Sequence, residues 1–308
     1  MEIALQFGLL VLGFVMLAKG ADWFVEGAAG IAMRFGIPQL VIGLTIVAMG
    51  TSAPEAAVSI AAAVKGNADI TIGNIVGSNI LNILVILGLA ASIVPIAVAR
   101  STVRIEIPFM IGVTALLFYQ GRDGSISLAD GGVLMVAFAA YMMYLYTMAM
   151  KSNVDSDLEE PGLPLGRCLL GAVGGLALII AGSNVTVGAA TSIATYAGLS
   201  ERFIGLTIVA LGTSLPELFT SVAAARRGNA DIAIGNIVGS NIFNILFVVG
   251  LSSLIIDIPF ASAFNFDTYV ALGAAVLLLL CVLRTQRLQR WAGALMLVCY
   301  AVYLGYIL

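Results

Sequence analysis

Two glutamates, Glu55 and Glu217, lie inside apolar stretches of this 308-residue chain, and each has a threonine and a serine shortly before it. A charged side chain in hydrocarbon costs at least about 2.5 kcal/mol, so an acid in such surroundings indicates a functional site. Carboxylate and hydroxyl oxygens suit hard cations such as Na⁺ and Ca²⁺ and not soft transition metals. The residue types therefore predict a cation-binding site.

Polar side chains recur in the same order in two segments. The first contains GTSAPE at 50–55 and GNIVGSNILN at 73–82, and the second contains GTSLPE at 212–217 and GNIVGSNIFN at 235–244. In both motifs two polar residues stand four apart, so they share a helix face. The predicted side-chain ligands are Thr51, Ser52, Glu55, Ser78, Asn82, Thr213, Ser214, Glu217, Ser240 and Asn244. Four other asparagines either support the pocket or cap neighbouring turns: Asn74, Asn79, Asn236 and Asn241.

Prolines at Pro54 and Pro216 stand one residue before the glutamates. Proline lacks the amide donor and crowds the carbonyl four residues earlier, so we expect both helices to break or kink there. Carbonyls released near such a break can coordinate a cation at mid-membrane depth. We therefore expect the carbonyls of Ala48 and Ala210 to join the ligands.

The segment that carries these residues occurs twice. Residues 43–84 and 205–246 align without a gap at a constant offset of 162, and 32 of the 42 positions are identical. A serine or threonine in a membrane helix often only bonds to a carbonyl of the preceding turn, which needs no ion. Because the same residue types recur at identical offsets beside a glutamate, we favour ion binding for the whole set.

A further group of charges, Lys19, Asp22 and Glu26, shares one face of the first apolar segment. Their spacing permits ion pairing within that helix, near a membrane boundary. Asp22 aligns with Asn184, so its charge is not duplicated. We favour local pairing over a role in transport.

The composition is that of a polytopic, all-α membrane protein. The chain is 61% hydrophobic and 10% charged, with a mean hydropathy of +1.08, and apolar runs long enough to span a bilayer recur along it. It has no histidine, and its three cysteines lie in or beside apolar spans, which argues against zinc, redox and disulfide chemistry. We expect no cofactor, no nucleic-acid partner and no enzymatic activity.

The apolar runs predict ten transmembrane helices, five in each copy. An odd number of helices per copy makes the second copy enter the membrane from the opposite side, as in transporters with inverted repeats. We expect a first repeat at 1–150, a short cytoplasmic linker at 151–165 and a second repeat at 166–308. The predicted spans are 3–32, 38–64, 70–96, 104–120, 128–149, 166–196, 202–226, 232–254, 267–284 and 290–307.

The basic residues predict the orientation. If the ten helices alternate, ten basic residues lie on one side of the membrane and three on the other, and the positive-inside rule assigns the richer side to the cytoplasm. Both termini then lie outside. The cytoplasmic set is Arg34, Arg100, Arg104, Lys151, Arg167, Arg226, Arg227, Arg284, Arg287 and Arg290, and the external set is Lys65, Arg122 and Arg202.

The motifs GTSAPE and GTSLPE, each followed by GNIVGSN, resemble those of the calcium/cation antiporter superfamily, above all its prokaryotic sodium/calcium exchangers. The resemblance covers both halves and implies a prokaryotic cytoplasmic membrane. It also implies a cation site between the second, third, seventh and eighth helices, across which the first and sixth slide. It assigns Ca²⁺ to Glu55, Glu217, Thr51 and Thr213, and Na⁺ to Ser52, Ser78, Ser214, Ser240 and the carbonyls of Ala48 and Ala210.

The resemblance places Asn82 at the centre of the site, and it breaks at Asn244, where several members have an aspartate. We expect Na⁺-driven Ca²⁺ antiport by alternating access, with Ca²⁺, Na⁺ and the lipid bilayer as the only partners and a monomer as the functional unit. Exchange of H⁺ for Ca²⁺ through protonation of Glu55 or Glu217 stays open as an alternative, and a cation channel is a third. The coupling ratio and a role for K⁺ also stay open.

Overall fold

The helices of the computed structural model occupy most of the described residues, which are 2–66, 68–152, 163–198 and 210–307. Within these ranges eight helices are long and apolar enough to cross a membrane, or nine if a bent pair counts as one span. The helices are α1 (Glu2–Arg34), α2 (Gln39–Thr51), α3 (Ala53–Val64), α4 (Ile70–Ile93), α5 (Thr102–Asp123), α6 (Leu128–Ser152), α7 (Leu165–Tyr196), α8 (Ala210–Thr213), α9 (Leu215–Arg226), α10 (Ala230–Ile255), α11 (Ala263–Val282) and α12 (Arg290–Ile307).

This architecture confirms a polytopic helical membrane protein. The predicted seventh span, 202–226, lies partly outside the described residues, and its described part consists of α8 and α9. Most of the predicted linker also lies outside them. The count of ten helices therefore stays a prediction.

Both predicted helix breaks are present. Helices α2 and α3 meet at an angle of 52°. Ser52 stands between them with φ −81° and ψ 5°, and Ser214 stands between α8 and α9 with φ −91° and ψ 2°. Pro54 and Pro216 lie in the first turn after each break, where the missing amide costs little. Each serine therefore lies at the junction of two consecutive helices and not inside a continuous helix.

In the described part of the chain, four helices contain a turn of π-helix, and the sequence did not predict these turns. Two of these turns begin at predicted ligands: Asn82–Leu87 in α4 and Asn244–Val249 in α10. The others are Gly43–Val47 and Thr102–Glu106. Such turns cluster at functional sites because they shift the angular position of the side chains at the bulge. Here they set the direction of the two asparagine amides.

Helices α1 and α7 pack backbone to backbone through glycines. A Cβ atom on Gly20 would lie 2.9 Å from the carbonyl oxygen of Gly175, and one on Gly13 would lie 3.1 Å from that of Gly182. The order of these contacts makes the pair antiparallel. Close approach of small residues is the common way in which helices associate in lipid. The paired helices lie against α9.

Two short antiparallel ribbons join the ends of distant helices. They pair Ile96 with Leu288 and Ile126 with Ile258. The offset of 162 converts one pairing into the other, so the symmetry of the sequence extends well beyond the duplicated motifs. The strands are β1 (Ile96–Ala97), β2 (Ser125–Ile126), β3 (Ile258–Pro259) and β4 (Arg287–Leu288).

The core of the molecule is formed by α4 and α10, which are the most buried of the long helices. Helix α2 packs closely on α10, since a Cβ atom on Gly235 would lie 3.1 Å from the Cα atom of Gly43. Helices α5, α6, α11 and α12 lie outside this core. The two long helices therefore bury Ser78 and Asn82 in α4 and Ser240 and Asn244 in α10.

Candidate cation site

Glu55 and Glu217 are both buried at the centre of the fold, each with 1% of its surface exposed. Each carboxylate accepts a hydrogen bond from the serine of the other copy. The hydroxyl of Ser52 donates to Oε1 of Glu217 at 2.8 Å, and that of Ser214 donates to Oε1 of Glu55 at 3.3 Å. The two breaks therefore face each other across the interface between the copies.

The threonines follow the same crosswise arrangement. Thr51 interacts with Glu217, and Thr213 interacts with Glu55. The convergence of Thr51 and Glu55 on one pocket, inferred from their spacing of four residues, stays a prediction, and the structure adds the crosswise contacts that the spacing did not indicate. The break at Ser52 interrupts the helical spacing, so each hydroxyl meets the acid of the opposite copy.

Asparagines Asn74 and Asn236 support the helices that carry the acids. The amide of Asn74 donates to the hydroxyl of Ser59 at 2.9 Å and to the carbonyl of Glu55 at 3.3 Å. In the second copy, Asn236 donates to the hydroxyl of Ser221 at 2.9 Å and to the carbonyl of Glu217 at 3.4 Å. The sequence analysis missed Ser59 and Ser221, although each lies four residues after the glutamate of its own copy.

A second set of asparagines joins α4 to α10. The amide of Asn79 donates to the carbonyl of Asn241, and the amide of Asn241 donates to the carbonyl of Asn79, both at 3.2 Å. The side-chain oxygen of Asn241 accepts from the amide of Asn82 at 2.9 Å, and the side-chain oxygen of Asn79 accepts from the amide of Asn244 at 3.2 Å. These bonds leave the oxygens of Asn82 and Asn244 as the groups to be satisfied.

Among the buried oxygen atoms without a hydrogen-bond partner in the described residues, four belong to the predicted glutamate and asparagine ligands: Oε2 of Glu55, Oε2 of Glu217, Oδ1 of Asn82 and Oδ1 of Asn244. We call them the open acceptors. Helix α3 contacts the π-turn that begins at Asn244, and α9 contacts the one that begins at Asn82. A buried acceptor without a donor costs about 1–3 kcal/mol, so four of them on neighbouring elements require an explanation. Carboxylate and amide oxygens are the ligands that hard cations prefer.

The carbonyl of Ala48 is bonded and not released by the break, contrary to prediction. It accepts the amide of Ser52 at 3.0 Å and the hydroxyl of Ser240 at 3.3 Å. The amide missing at Pro54 would have reached Gly50, two residues further along. Ser240 and Ala48, both predicted ligands, are therefore in contact.

The remaining predicted ligands are Ser78 and Ala210. Ser78 is buried in α4. Ala210 is the first residue of α8, and its neighbours before that helix lie outside the described residues.

The acids of α1 pair across the fold and not along their own helix. Arg227, just after α9, lies 3.2 Å from a carboxylate oxygen of Asp22 and 3.2 Å from one of Glu26. The prediction of local pairing with Lys19 is therefore wrong. The ion pairs instead tie α1 to a helix that carries a glutamate of the site.

Comparison with known proteins agrees with this geometry. A family model described as "Sodium/calcium exchanger protein" matches residues 5–147 and 168–308. The chain belongs to the sodium/calcium exchanger family. As a member of that family it is a membrane transport protein and not an enzyme.

Three similar proteins span the whole exchanger chain. It is 40% identical to the putative antiporter CaxA of Alkalimonas amylolytica, with 96% of each chain covered. It is 38% identical to the inner membrane protein YrbG of Escherichia coli strain K12, with 96% of this chain and 95% of that one covered. Its fold matches the structure of the sodium-calcium exchanger NCX_Mj soaked with zero Na⁺ and Ca²⁺, with a TM-score of 0.87, 34% identity, and coverage of 99% and 100%.

Proposed function

We propose that this exchanger is a Ca²⁺ antiporter driven by Na⁺, and that its ions bind at the open acceptors between α3, α4, α9 and α10. The observation that carries this proposal is that all four atoms are acceptors. A site for an anion or for a neutral organic molecule would present hydrogen-bond donors as well. Oxygen ligands from carboxylates and amides match Ca²⁺ and Na⁺.

The formal charge of the site favours exchange over uptake. Two carboxylates carry −2, which one Ca²⁺ or two Na⁺ neutralise. A site without ions would leave two like charges in a medium of low dielectric constant, and this opposes the occluded state through which the protein must pass. Binding of either Ca²⁺ or Na⁺ therefore lowers the barrier to the occluded state, and the protein without ions rarely crosses it. This requirement couples the Ca²⁺ flux to the Na⁺ flux.

The overall plan proposed for this activity has ten helices in two inverted repeats, 1–150 and 166–308. The two strand ribbons support it, because β1 precedes α5 and β2 follows it, so the ribbons lie at opposite ends of that helix. The offset of 162 exchanges the ribbons and therefore exchanges the two membrane faces. The antiparallel pair of α1 and α7 follows the same symmetry, and we propose that it slides across the core.

We propose that both termini lie outside a prokaryotic cytoplasmic membrane. The ribbon of β1 and β4 lies near Arg100, Arg104, Arg284, Arg287 and Arg290, in the strands and at the adjoining helix ends, whereas among the described residues Arg122 is the one arginine near the other ribbon. The positive-inside rule assigns the first face to the cytoplasm. The name of the relative YrbG, an inner membrane protein, points the same way.

Asn244 gives this exchanger a site without a third acid. Its amide donates to Asn79, so its oxygen is directed away from that bond as an open acceptor, as in the matching Asn82. An amide cannot take up or release a proton in this pH range. We propose that Glu55 and Glu217 are the only titratable ligands of the bound ions. We also propose that the functional unit is a monomer.

The test is ⁴⁵Ca²⁺ uptake into Na⁺-loaded proteoliposomes diluted into Na⁺-free or Na⁺-matched buffer. We expect uptake only with the outward Na⁺ gradient, and we expect Glu55→Gln and Glu217→Gln to abolish it. Asp123→Asn, which neutralises an exposed acid after α5, is the matched control and should transport normally.

Other outcomes would replace this function. Uptake that ignores Na⁺ and follows an imposed pH gradient would indicate H⁺/Ca²⁺ exchange. Single-channel currents in planar bilayers would indicate a channel. Normal uptake by both glutamine variants would remove the site from the mechanism.

A further inference from the structure

A third buried carboxylate, besides Glu55 and Glu217, lies away from the cation site. Glu106 is fully buried near the start of α5, and the hydroxyl of Tyr144 in α6 donates to its Oε1. Both helices lie outside the core of α4 and α10. A carboxylate buried this far from the transport pathway needs a reason of its own, because burial of a charge is costly.

Three oxygen atoms of this cluster are buried and have no hydrogen-bond partner in the described part of the chain: Oε2 of Glu106, the hydroxyl of Tyr141 and Oγ1 of Thr102. Thr102 lies in the same π-turn as the acid, and Tyr141 lies within electrostatic reach of it. Native structures leave few such atoms unsatisfied. Oε2 of Glu106 is the one of the three that can only accept while the acid is ionised, so it is the atom that calls for a donor.

A cavity of about 160 Å³ opens beside the acid. We call it the Glu106 notch. Aromatic rings form much of its wall: Phe109 and Tyr141 stack at 5.3 Å, and Tyr141 and Tyr144 at 6.5 Å. Ile105 is 46% exposed on the outer surface of α5, so the notch faces lipid. Its lining residues are Ile105, Glu106, Phe109, Ala140, Tyr141 and Tyr144.

The lining selects the class of ligand. Ca²⁺ requires about six to eight oxygen ligands, and one carboxylate with two hydroxyls between aromatic rings falls short. A primary ammonium group carries one positive charge and three N–H donors, which suit the carboxylate oxygen of Glu106 and the hydroxyl oxygen of Tyr141 in the lining. Aromatic ring faces add cation–π attraction. The notch therefore suits an ammonium group better than a metal ion.

We propose that the Glu106 notch binds the primary ammonium group of a phospholipid from the leaflet around the start of α5. The notch opens to lipid and not to the cation site, and it lies in the first turns of a membrane span, close to the headgroups. Arg104, exposed two residues before the acid, can pair with the phosphate of the same lipid. The binding holds α5 and α6 together from outside.

The other half of the chain supplies a matched control. There Tyr303 donates to Oδ1 of Asp267 at 2.8 Å, an acid–tyrosine pair between α11 and α12. Asp267 is only partly buried, and the position that aligns with Glu106 is Thr268. Asp267→Asn therefore removes a membrane acid paired to a tyrosine without touching the notch.

The experiment is native mass spectrometry of protein taken from vesicles of equal phosphatidylethanolamine and phosphatidylcholine, whose headgroups differ in the methylation of the nitrogen. We expect the wild type and Asp267→Asn to retain phosphatidylethanolamine over phosphatidylcholine by about fivefold. Glu106→Gln should abolish this preference, and Tyr141→Phe, which keeps the ring and removes one acceptor, should halve it at least.

Equal retention of both lipids by the wild type, or an unchanged preference in Glu106→Gln, would overturn the proposal. Should Glu106→Gln fail to fold, Tyr141→Phe decides the question. A stabilisation by soluble ethanolamine in phosphatidylcholine vesicles, without enrichment of phosphatidylethanolamine, would assign the notch to a free amine and overturn the lipid assignment.

Discussion

The two halves of the chain match closely at the cation site and differ at its edge. Ser52 donates to Glu217 as Ser214 donates to Glu55, although at 2.8 Å and 3.3 Å. Outside the site, Arg227 after α9 binds two acids of α1. Its counterpart Lys65 would need partners at the positions of Asn184 and Gly188, which are uncharged.

This difference separates two tasks. A transporter that opens to each side in turn is served by a site whose ligands are equivalent from both directions, and the crosswise bonds provide that. In the described residues, an ion pair links the α1–α7 pair to α9 in one half only. We therefore expect the ligands of the site to be equivalent for ions that enter from either side of the membrane. We expect the populations of the two open states to differ, because the ion pair exists in one half.

The largest effect is expected from an added acid at the matched asparagines. Asn244→Asp and Asn82→Asp each bring a third carboxylate to a site whose charge Ca²⁺ just neutralises. When the aspartate is ionised we expect Ca²⁺ exchange to fall about a hundredfold, the effect of roughly 2.7 kcal/mol. When it is protonated it resembles the amide, and exchange should recover.

The measurement for both variants is the rate of Na⁺-driven ⁴⁵Ca²⁺ uptake across a pH series, with the wild type as reference. The symmetry predicts two similar profiles. A loss in one variant and not in the other would show that the two halves of the site are not equivalent.

The asparagine pair between α4 and α10 should govern stability. Asn79→Ala and Asn241→Ala each remove one reciprocal amide bond and leave the side-chain amide of Asn244 or of Asn82, respectively, without its acceptor. We expect each to lower the free energy of unfolding by about 2 kcal/mol. Thermal unfolding in detergent measures this, and Asn153→Ala in the linker serves as a control. No change in either variant would contradict the assigned bonds.

The serines at the helix breaks should have smaller effects. Ser52→Ala removes the shorter bond to a glutamate and is expected to weaken Ca²⁺ affinity about fivefold, whereas Ser214→Ala removes the longer one and should cost less. Apparent affinity from uptake at varied Ca²⁺ measures both. The reverse order would mean that the difference in length has no energetic meaning.

The smallest effect is expected at the ion pairs. They are partly exposed, so Arg227→Gln should shift the apparent Ca²⁺ affinity at one membrane face by about twofold. Lys65→Gln should shift neither face. Uptake into vesicles of known orientation distinguishes the faces, and equal shifts in the two variants would refute the asymmetry.

The sequence was sufficient to predict the two buried glutamates and the helix breaks beside them. Glu55 and Glu217 are visible because a charge in an apolar run is rare, and the break before them follows from the chemistry of Pro54. The sequence does not show whether a side chain contacts its own copy or the other one. Ser52 and Glu217 are 165 residues apart, and Asp22 and Arg227 are 205 apart. Those contacts depend on how the two copies pack, and so do the π-turns that begin at Asn82 and Asn244.

The most direct test of the shared site is equilibrium binding of ⁴⁵Ca²⁺ to the purified protein, with and without Na⁺, for the wild type, Glu55→Gln and Glu217→Gln. The crosswise arrangement predicts that Na⁺ displaces Ca²⁺ from the wild type and that each variant alone loses binding. Binding that survives in either variant, or that Na⁺ leaves unchanged, would contradict a single site built from both halves.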